Sequence, residues 1–66
     1  MEIKYPNITV ELTGKDGNAF NLIGLVKKEM RKAKLTTEQI DEFTMEAMSG
    51  DYNNLLTTCM KYVEVK

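Results

Sequence analysis

The side chains that could carry out catalysis are scattered along this chain and do not form a known motif. The candidate nucleophiles lie near the carboxyl end, at Ser49, Thr57, Thr58 and Cys59. A nucleophile of this kind needs a base to activate it, and the chain contains no histidine. No lysine or carboxylate stands beside these residues in a catalytic pattern. The sequence therefore predicts a protein that is not an enzyme, with Cys59 as a buried, unreactive thiol on an apolar helix face.

Acidic side chains recur at helical spacing in the middle of the chain, at Glu38, Asp41, Glu42 and Glu46. Glycosidase chemistry would need two such groups across a cleft, with their pKa values pushed apart. Successive turns of one helix provide a solvated face instead, so we interpret these residues as surface charge. We expect no cofactor and no metal site, because the chain lacks a His/Cys cluster and residues 15–18 lack the ligand spacing of an EF-hand loop.

The best candidate for ligand binding is the turn Thr-Gly-Lys-Asp-Gly-Asn at 13–18, which precedes a predicted helix. Free backbone N–H groups, a helix dipole and the charge of Lys15 are the physical means by which proteins hold phosphates. The turn matches neither the dinucleotide fingerprint nor the P-loop, and Asp16 adds a negative charge. Two interpretations stay open, an anion-binding turn and an ordinary tight turn into a helix.

Alternating apolar residues predict one strand. Ile8, Val10 and Leu12 alternate with polar residues, which predicts a half-buried strand over 7–12. Pro6 removes one ladder donor, so the piece before it is predicted to be separate or to lie on an edge. The tail 62–65 also alternates, and both a helical end and a short strand are open for it.

Apolar residues at helical spacing predict a first helix from Ala19, with Asn18 as its N-cap. Gly24 in the middle of that helix predicts close contact with another backbone or an aromatic ring. The apolar stripe is expected to comprise Ala19, Phe20, Leu22, Ile23, Val26, Met30 and Ala33.

Two further helices are predicted after residue 35. Thr36 and Gln39 form a capping box for the second helix, Gly50 ends it, and Asp51 caps the third. The apolar side of the second helix is expected to comprise Ile40, Phe43, Thr44 and Ala47. That of the third is expected to comprise Leu55, Leu56, Cys59, Met60 and Val63.

These elements predict a single α+β domain over residues 1–66, with one N-terminal strand, three helices and a short strand as one option for the tail. A strand needs hydrogen-bonding partners, and an isolated two-stranded ribbon is marginal in water. The partner is the tail, the segment 2–5 or the same strand of a second copy. We therefore expect a homo-oligomer, and the methionines at 45 and 48 are compatible with a contact surface.

Composition restricts the remaining classes of partner and location. The formal net charge of -1 argues against DNA or RNA as a general partner. Apolar stretches are short, so we expect no membrane span, no signal peptide and a cytoplasmic location. The charges fall in two blocks, a basic run at 27–34 and an acidic run at 38–51.

Three motifs resemble a widespread set of short, uncharacterised proteins of bacteria and their phages. They are Asp-Gly-Asn-Ala-Phe at 16–20, Gly-Asp-Tyr with a Leu pair at 50–56, and Tyr-Val-Glu-Val at 62–65. The resemblance runs from about Tyr5 onward and implies no established activity. The size and the lack of catalytic residues are also similar in kind to phage proteins that sequester cyclic nucleotide signals, the anti-CBASS sponge type.

The sequence therefore predicts a non-enzymatic homo-oligomer that binds a small anionic ligand, such as a cyclic nucleotide immune signal. The rings of Tyr5 and Tyr62 are further candidates for stacking on a base. The alternative is a protein-interaction module that docks a partner through its charged helices. The predicted ligand-binding residues are Lys15, Gly17, Asn18, Phe20 and Tyr52.

Overall fold

The computed structural model describes residues 2–12 and 17–66, which run from a strand through three helices to a second strand. The elements are β1 (Tyr5–Val10), α1 (Ala19–Lys32), α2 (Thr37–Ala47), α3 (Tyr52–Tyr62) and β2 (Val63–Val65). This is the α+β arrangement that the sequence predicts, with the tail as a strand.

The two strands pair with each other in parallel and form a two-stranded sheet. Val10 is paired with Val65, and the N–H of Lys66 donates to the carbonyl of Val10 at 3.0 Å. A parallel pair needs a long crossover between its strands, and the three helices supply it. The tail is therefore the partner of β1 within the chain, among the three partners that the sequence left open.

The bounds of β1 differ from the predicted 7–12. The strand begins at Tyr5, which pairs with Val63, and it ends at Val10. The register shifts between Tyr5 and Thr9, and Pro6 lies in that irregular stretch. Pro6 has no N–H to donate. Because the ladder is already interrupted at this point, the missing donor breaks no regular ladder bond.

The core lies between the sheet and the helices. Phe43 and Val63 have no exposed surface, and Val10 and Leu55 are almost as deeply buried. The other members of the core are Ile8, Leu22, Ile23, Val26, Met30, Ile40, Ala47, Cys59 and Tyr62.

The apolar stripes of α1 and α3 are narrower than predicted. Phe20 is 73% exposed and Met60 is 54% exposed, although both were expected to face the core. On α3 the buried positions are Leu55, Thr58, Cys59 and Tyr62. Their spacing of three and four residues follows one face of the helix, and residue 60 falls outside that face.

All three predicted helix caps are confirmed. The side chain of Asn18 caps α1, and the side chain of Asp51 accepts a hydrogen bond from the N–H of Asn54 at 2.9 Å. Thr36 and Gln39 form the complete capping box, with each side chain bonded to the other residue's backbone N–H.

The roles of two glycines differ from the predictions. A Cβ atom placed on Gly24 would have no atom within 4 Å apart from its chain neighbours and the backbone of its own helix, so the expected close contact is absent among the described residues. α2 already ends at Ala47, before Gly50. A Cβ on Gly50 would lie 2.9 Å from the Cβ of Asn54, so this glycine permits close packing of the turn onto α3.

Candidate functional site

Four of the five predicted ligand-binding residues meet where the amino ends of α1 and α3 approach each other. The hydroxyl of Tyr52 donates to the carbonyl oxygen of Gly17 at 2.6 Å. Asn18 and the first turn of α1 follow Gly17 directly, and the ring of Phe20 projects there into solvent. The fifth predicted residue, Lys15, lies outside the described residues.

A groove of about 230 Å³ opens beside these residues, between α1 and the turn that joins α2 to α3. Its wall is mainly apolar, and Asp51 is the one charged residue among the described residues that line it. Because Asp51 caps α3, its carboxylate is already engaged at the start of that helix. The groove therefore offers apolar and aromatic contact. Its lining includes Phe20, Ile23, Ala47, Met48, Tyr52 and Leu55.

The amino end of α1 is closed by its own cap. The side-chain oxygen of Asn18 accepts hydrogen bonds from the N–H of Phe20 at 2.9 Å and from the N–H of Asn21 at 3.3 Å. An anion at the helix end would compete with Asn18 for these donors. The described part of the site therefore offers mainly apolar and aromatic contact, and the donors at this helix end are engaged by its cap.

The rings of Tyr5 and Tyr62 do not reach this groove. They pack against each other with centroids 6.3 Å apart, and the ring of Phe43 meets Tyr62 edge-on at 5.4 Å. Tyr62 belongs to the core, and its ring stabilises the carboxyl end of α3. Of the rings considered for base stacking, only Phe20 and Tyr52 line the groove.

A second cluster of polar groups surrounds the hydroxyl of Tyr62. This oxygen lies 3.1 Å from a carboxylate oxygen of Glu42 and 2.9 Å from one of Glu46. Lys4 forms an ion pair with Glu42, and Lys61 forms one with Glu46. The cluster ties the segment before β1 to α2 and α3.

The partners of each group shift its pKa in the direction that favours this pairing. The hydrogen bond from Lys4, followed by that from Tyr62, lowers the pKa of Glu42 below its usual value. Bonds from Lys61 and then Tyr62 lower the pKa of Glu46 in the same way. Burial, assisted by the two carboxylates, raises the pKa of the Tyr62 hydroxyl. Both carboxylates are thus held ionised beside a neutral phenol, as in a structural ion-pair cluster.

Sequence reasoning missed this cluster because it assigned Glu42 and Glu46 to a solvated face. The spacing of four residues showed that they share a face of α2. Their partner Tyr62 lies on another helix, and no local pattern connects the two.

The candidate nucleophiles have no activating partner in the described part of the chain. Cys59 is fully buried, as predicted, and burial raises the pKa of its thiol to about 11. The hydroxyl of Thr58 is also buried, and within residues 2–12 and 17–66 it has no hydrogen-bond partner. The same residues contain no cluster of metal-ligating side chains and no helix long and apolar enough to cross a membrane.

A scan of protein-family models and searches of curated proteins and solved structures found no match to this chain. The resemblance to short bacterial and phage proteins, and to cyclic nucleotide sponges, stays a prediction.

Proposed function

We propose that this protein is a non-enzymatic, homo-oligomeric binding protein of the cytoplasm. Its ligand is a small anion with a flat ring, such as a cyclic nucleotide, and binding sequesters that signal. The observation that carries the proposal is the hydrogen bond from Tyr52 to Gly17. It holds Tyr52 against Gly17, which directly precedes the cap of α1, and the exposed rings of Tyr52 and Phe20 line the same groove.

The groove is suited to a nucleobase. Phe20 and Tyr52 are 73% and 44% exposed, although aromatic side chains of this size are usually buried when nothing binds them. Stacking of a base on an aromatic side chain contributes about 1–3 kcal/mol and tolerates any base. The ring would lie on the apolar wall, which the rings of Phe20 and Tyr52 help to form.

Calorimetric titration with a panel of cyclic mononucleotides and cyclic dinucleotides tests the proposal. We expect at least one member to bind, and we expect Phe20→Ala to weaken it by about 5-fold to 150-fold, because a base would lose its stacking partner. Lys15→Ala should also weaken binding, because it removes a positive charge that attracts an anionic ligand.

Met60→Ala is the matched control, because Met60 is an exposed apolar residue of α3 that does not line this groove. The control should bind as the wild type does. No heat of binding across the whole panel would overturn the proposal.

A protein-interaction module is the second candidate, and exposed methionines favour it. Met45 is 73% exposed, and Met48 is 55% exposed at the edge of the groove. Methionine adapts its shape to different partners and is common on binding surfaces. Purification from the native host distinguishes the candidates. A stoichiometric protein partner, lost in Met48→Ala and accompanied by no nucleotide, would favour this function over ligand binding.

A further inference from the structure

The edge of β1 that faces away from β2 carries the strongest further inference. The N–H of Lys66 donates to the carbonyl of Val10, and the N–H of Leu12 donates to the carbonyl of Lys66. The backbone groups of Val10 and Leu12 therefore point toward β2. Because these groups alternate along an extended segment, those of Thr9 and Glu11 point to the opposite side.

On that opposite side, the backbone N–H and C=O groups of Thr9 and Glu11 are positioned to bond another strand. Among the described residues, no backbone hydrogen bond reaches Thr9 or Glu11 from a segment other than the two strands. Both side chains are exposed, as is that of Asn7. An unpaired edge of this kind readily accepts another strand, and a sheet of two strands gains stability from a third.

We propose that two copies of this chain pair along this edge, β1 against β1, in antiparallel orientation about a two-fold axis at Thr9. The inference rests on the homo-oligomer of the proposed function and specifies its interface. The two chains would form one sheet of four strands in the order β2, β1, β1, β2.

The sequence around Thr9 is complementary to itself in this register. Asn7 stands opposite Glu11 of the second copy, so an amide donor meets a carboxylate acceptor twice. Ile8 stands opposite Val10 of the second copy on the buried face, where β-branched pairs pack well. The two Thr9 side chains face each other across the axis, and threonine pairs of this kind stabilise a sheet.

The neighbouring residues are compatible with this pairing. Pro6 lies just outside the paired segment 7–11, where its missing donor costs no bond between the copies. A groove of about 370 Å³ borders Thr9, Val10 and Glu11 at the end of the sheet, and Leu25, Glu29 and Lys66 also line it. A symmetric pair is also the commonest assembly of identical chains.

Sedimentation velocity of Thr9→Lys and Thr9→Glu tests the interface. Each variant places like charges opposite each other at the axis, so we expect the dimer dissociation constant to rise about tenfold. An equimolar mixture of the two variants should recover the dimer, since a lysine then faces a glutamate. Thr57→Lys adds the same charge to an exposed position of α3 and should sediment as the wild type.

Oxidation of Thr9→Cys provides a second readout. Directly opposite residues of a hydrogen-bonded antiparallel pair have Cα atoms about 5.5 Å apart, within the range that a disulfide spans. We expect a covalent dimer from Thr9→Cys and none from Thr57→Cys, while Cys59 stays buried and unreactive. The proposal is overturned if the wild type sediments as one chain, or if both Thr9 charge variants dimerise with the dissociation constant of the wild type.

Titration of the wild type with the nucleotide panel, combined with its sedimentation, separates this inference from the ligand binding of the proposed function. A nucleotide that binds a wild type sedimenting as a single chain would end the interface and leave the ligand groove in place. A dimer that responds to the Thr9 changes and binds no nucleotide would support the interface and overturn the ligand-binding proposal.

Discussion

At the scale of single residues, the hydroxyl of Tyr62 organises the charges on one side of the molecule. It lies within hydrogen-bond distance of the carboxylates of Glu42 and Glu46, which share its single proton, and each carboxylate also pairs with a lysine. The side chains of these pairs are partly exposed, so solvent screens their attraction and each pair alone contributes little. Their combined effect should appear in the dependence of stability on pH.

We predict that the protein loses stability in acid through this cluster. The pKa values of Glu42 and Glu46 are lowered in the fold from their ordinary value of 4.5. Their contribution is therefore fully present above about pH 4.5, the unfolded value, and is lost as the pH falls through the lower folded values. Urea unfolding at a series of pH values between 7 and 3 should show a midpoint that falls only below about pH 4.5.

The double variant Glu42→Gln/Glu46→Gln should flatten that acid limb. Asp41→Asn is the control, because Asp41 is an exposed carboxylate of the same helix outside the cluster, and the limb should persist there. An equally steep acid limb in the double variant would show that other carboxylates cause the effect.

At the scale of elements, capping residues determine where each helix begins, and the surroundings of two glycines determine which substitutions are tolerated there. The caps at Asn18, Thr36 and Asp51 satisfy the first N–H groups of each helix. The sequence predicts a close contact at Gly24 and the end of α2 at Gly50, and the surroundings of the two glycines are opposite. One faces open space, and the other touches Asn54.

We predict that alanine at these two glycines has opposite effects on the free energy of unfolding. Gly24→Ala should stabilise the protein by about 0.5–1 kcal/mol, because alanine is the better helix former and nothing obstructs its methyl group. Gly50→Ala should destabilise it by about 1–3 kcal/mol, because the new Cβ would overlap with that of Asn54. Urea denaturation measures both, and each variant is the control for the other.

If both alanine variants changed the free energy of unfolding in the same direction, this interpretation of the two glycines would be wrong. The side-chain amide of Asn54 also donates to the carbonyl of Glu46 at 2.9 Å. A shift of Asn54 away from residue 50 would therefore loosen the end of α2 as well.

At the scale of the whole molecule, a small core supports all three helices and the sheet. A chain of this length has a free energy of unfolding of about 3–10 kcal/mol. Phe43 lies at the centre, with no exposed surface and its ring against Tyr62. One large change there is comparable to the total stability.

We predict that Phe43→Ala loses a large part of its free energy of unfolding and melts at a lower temperature than the wild type. Truncation of a buried phenylalanine costs about 3–5 kcal/mol, through lost burial and the cavity that remains. A thermal melt followed by circular dichroism in the far ultraviolet should show the loss of helix at that lower temperature. Met45→Ala, two positions along α2 but largely exposed, should keep the wild-type spectrum and melting temperature. A cooperative melt of Phe43→Ala near that of the wild type would contradict the prediction.

The sequence by itself determined the α+β class, the three helices and their caps. These features depend on residues within about four positions of one another, as Thr36 and Gln39 show, so local spacing reveals them. It also grouped Gly17, Asn18, Phe20 and Tyr52 as one candidate site, and the structure places them together. Lys15 lies outside the described residues.

Only the tertiary structure decided which segment completes the sheet, which rings enter the groove, and where Glu42 and Glu46 find their partner. Each depends on segments far apart in the chain, such as Val10 with Val65 or Glu46 with Tyr62. From the sequence alone, the partner of β1 could be the tail at 62–65, the segment 2–5 or the same strand of a second copy. In the structure β1 pairs with this tail, and Val63 and the ring of Tyr62 lie in the same core.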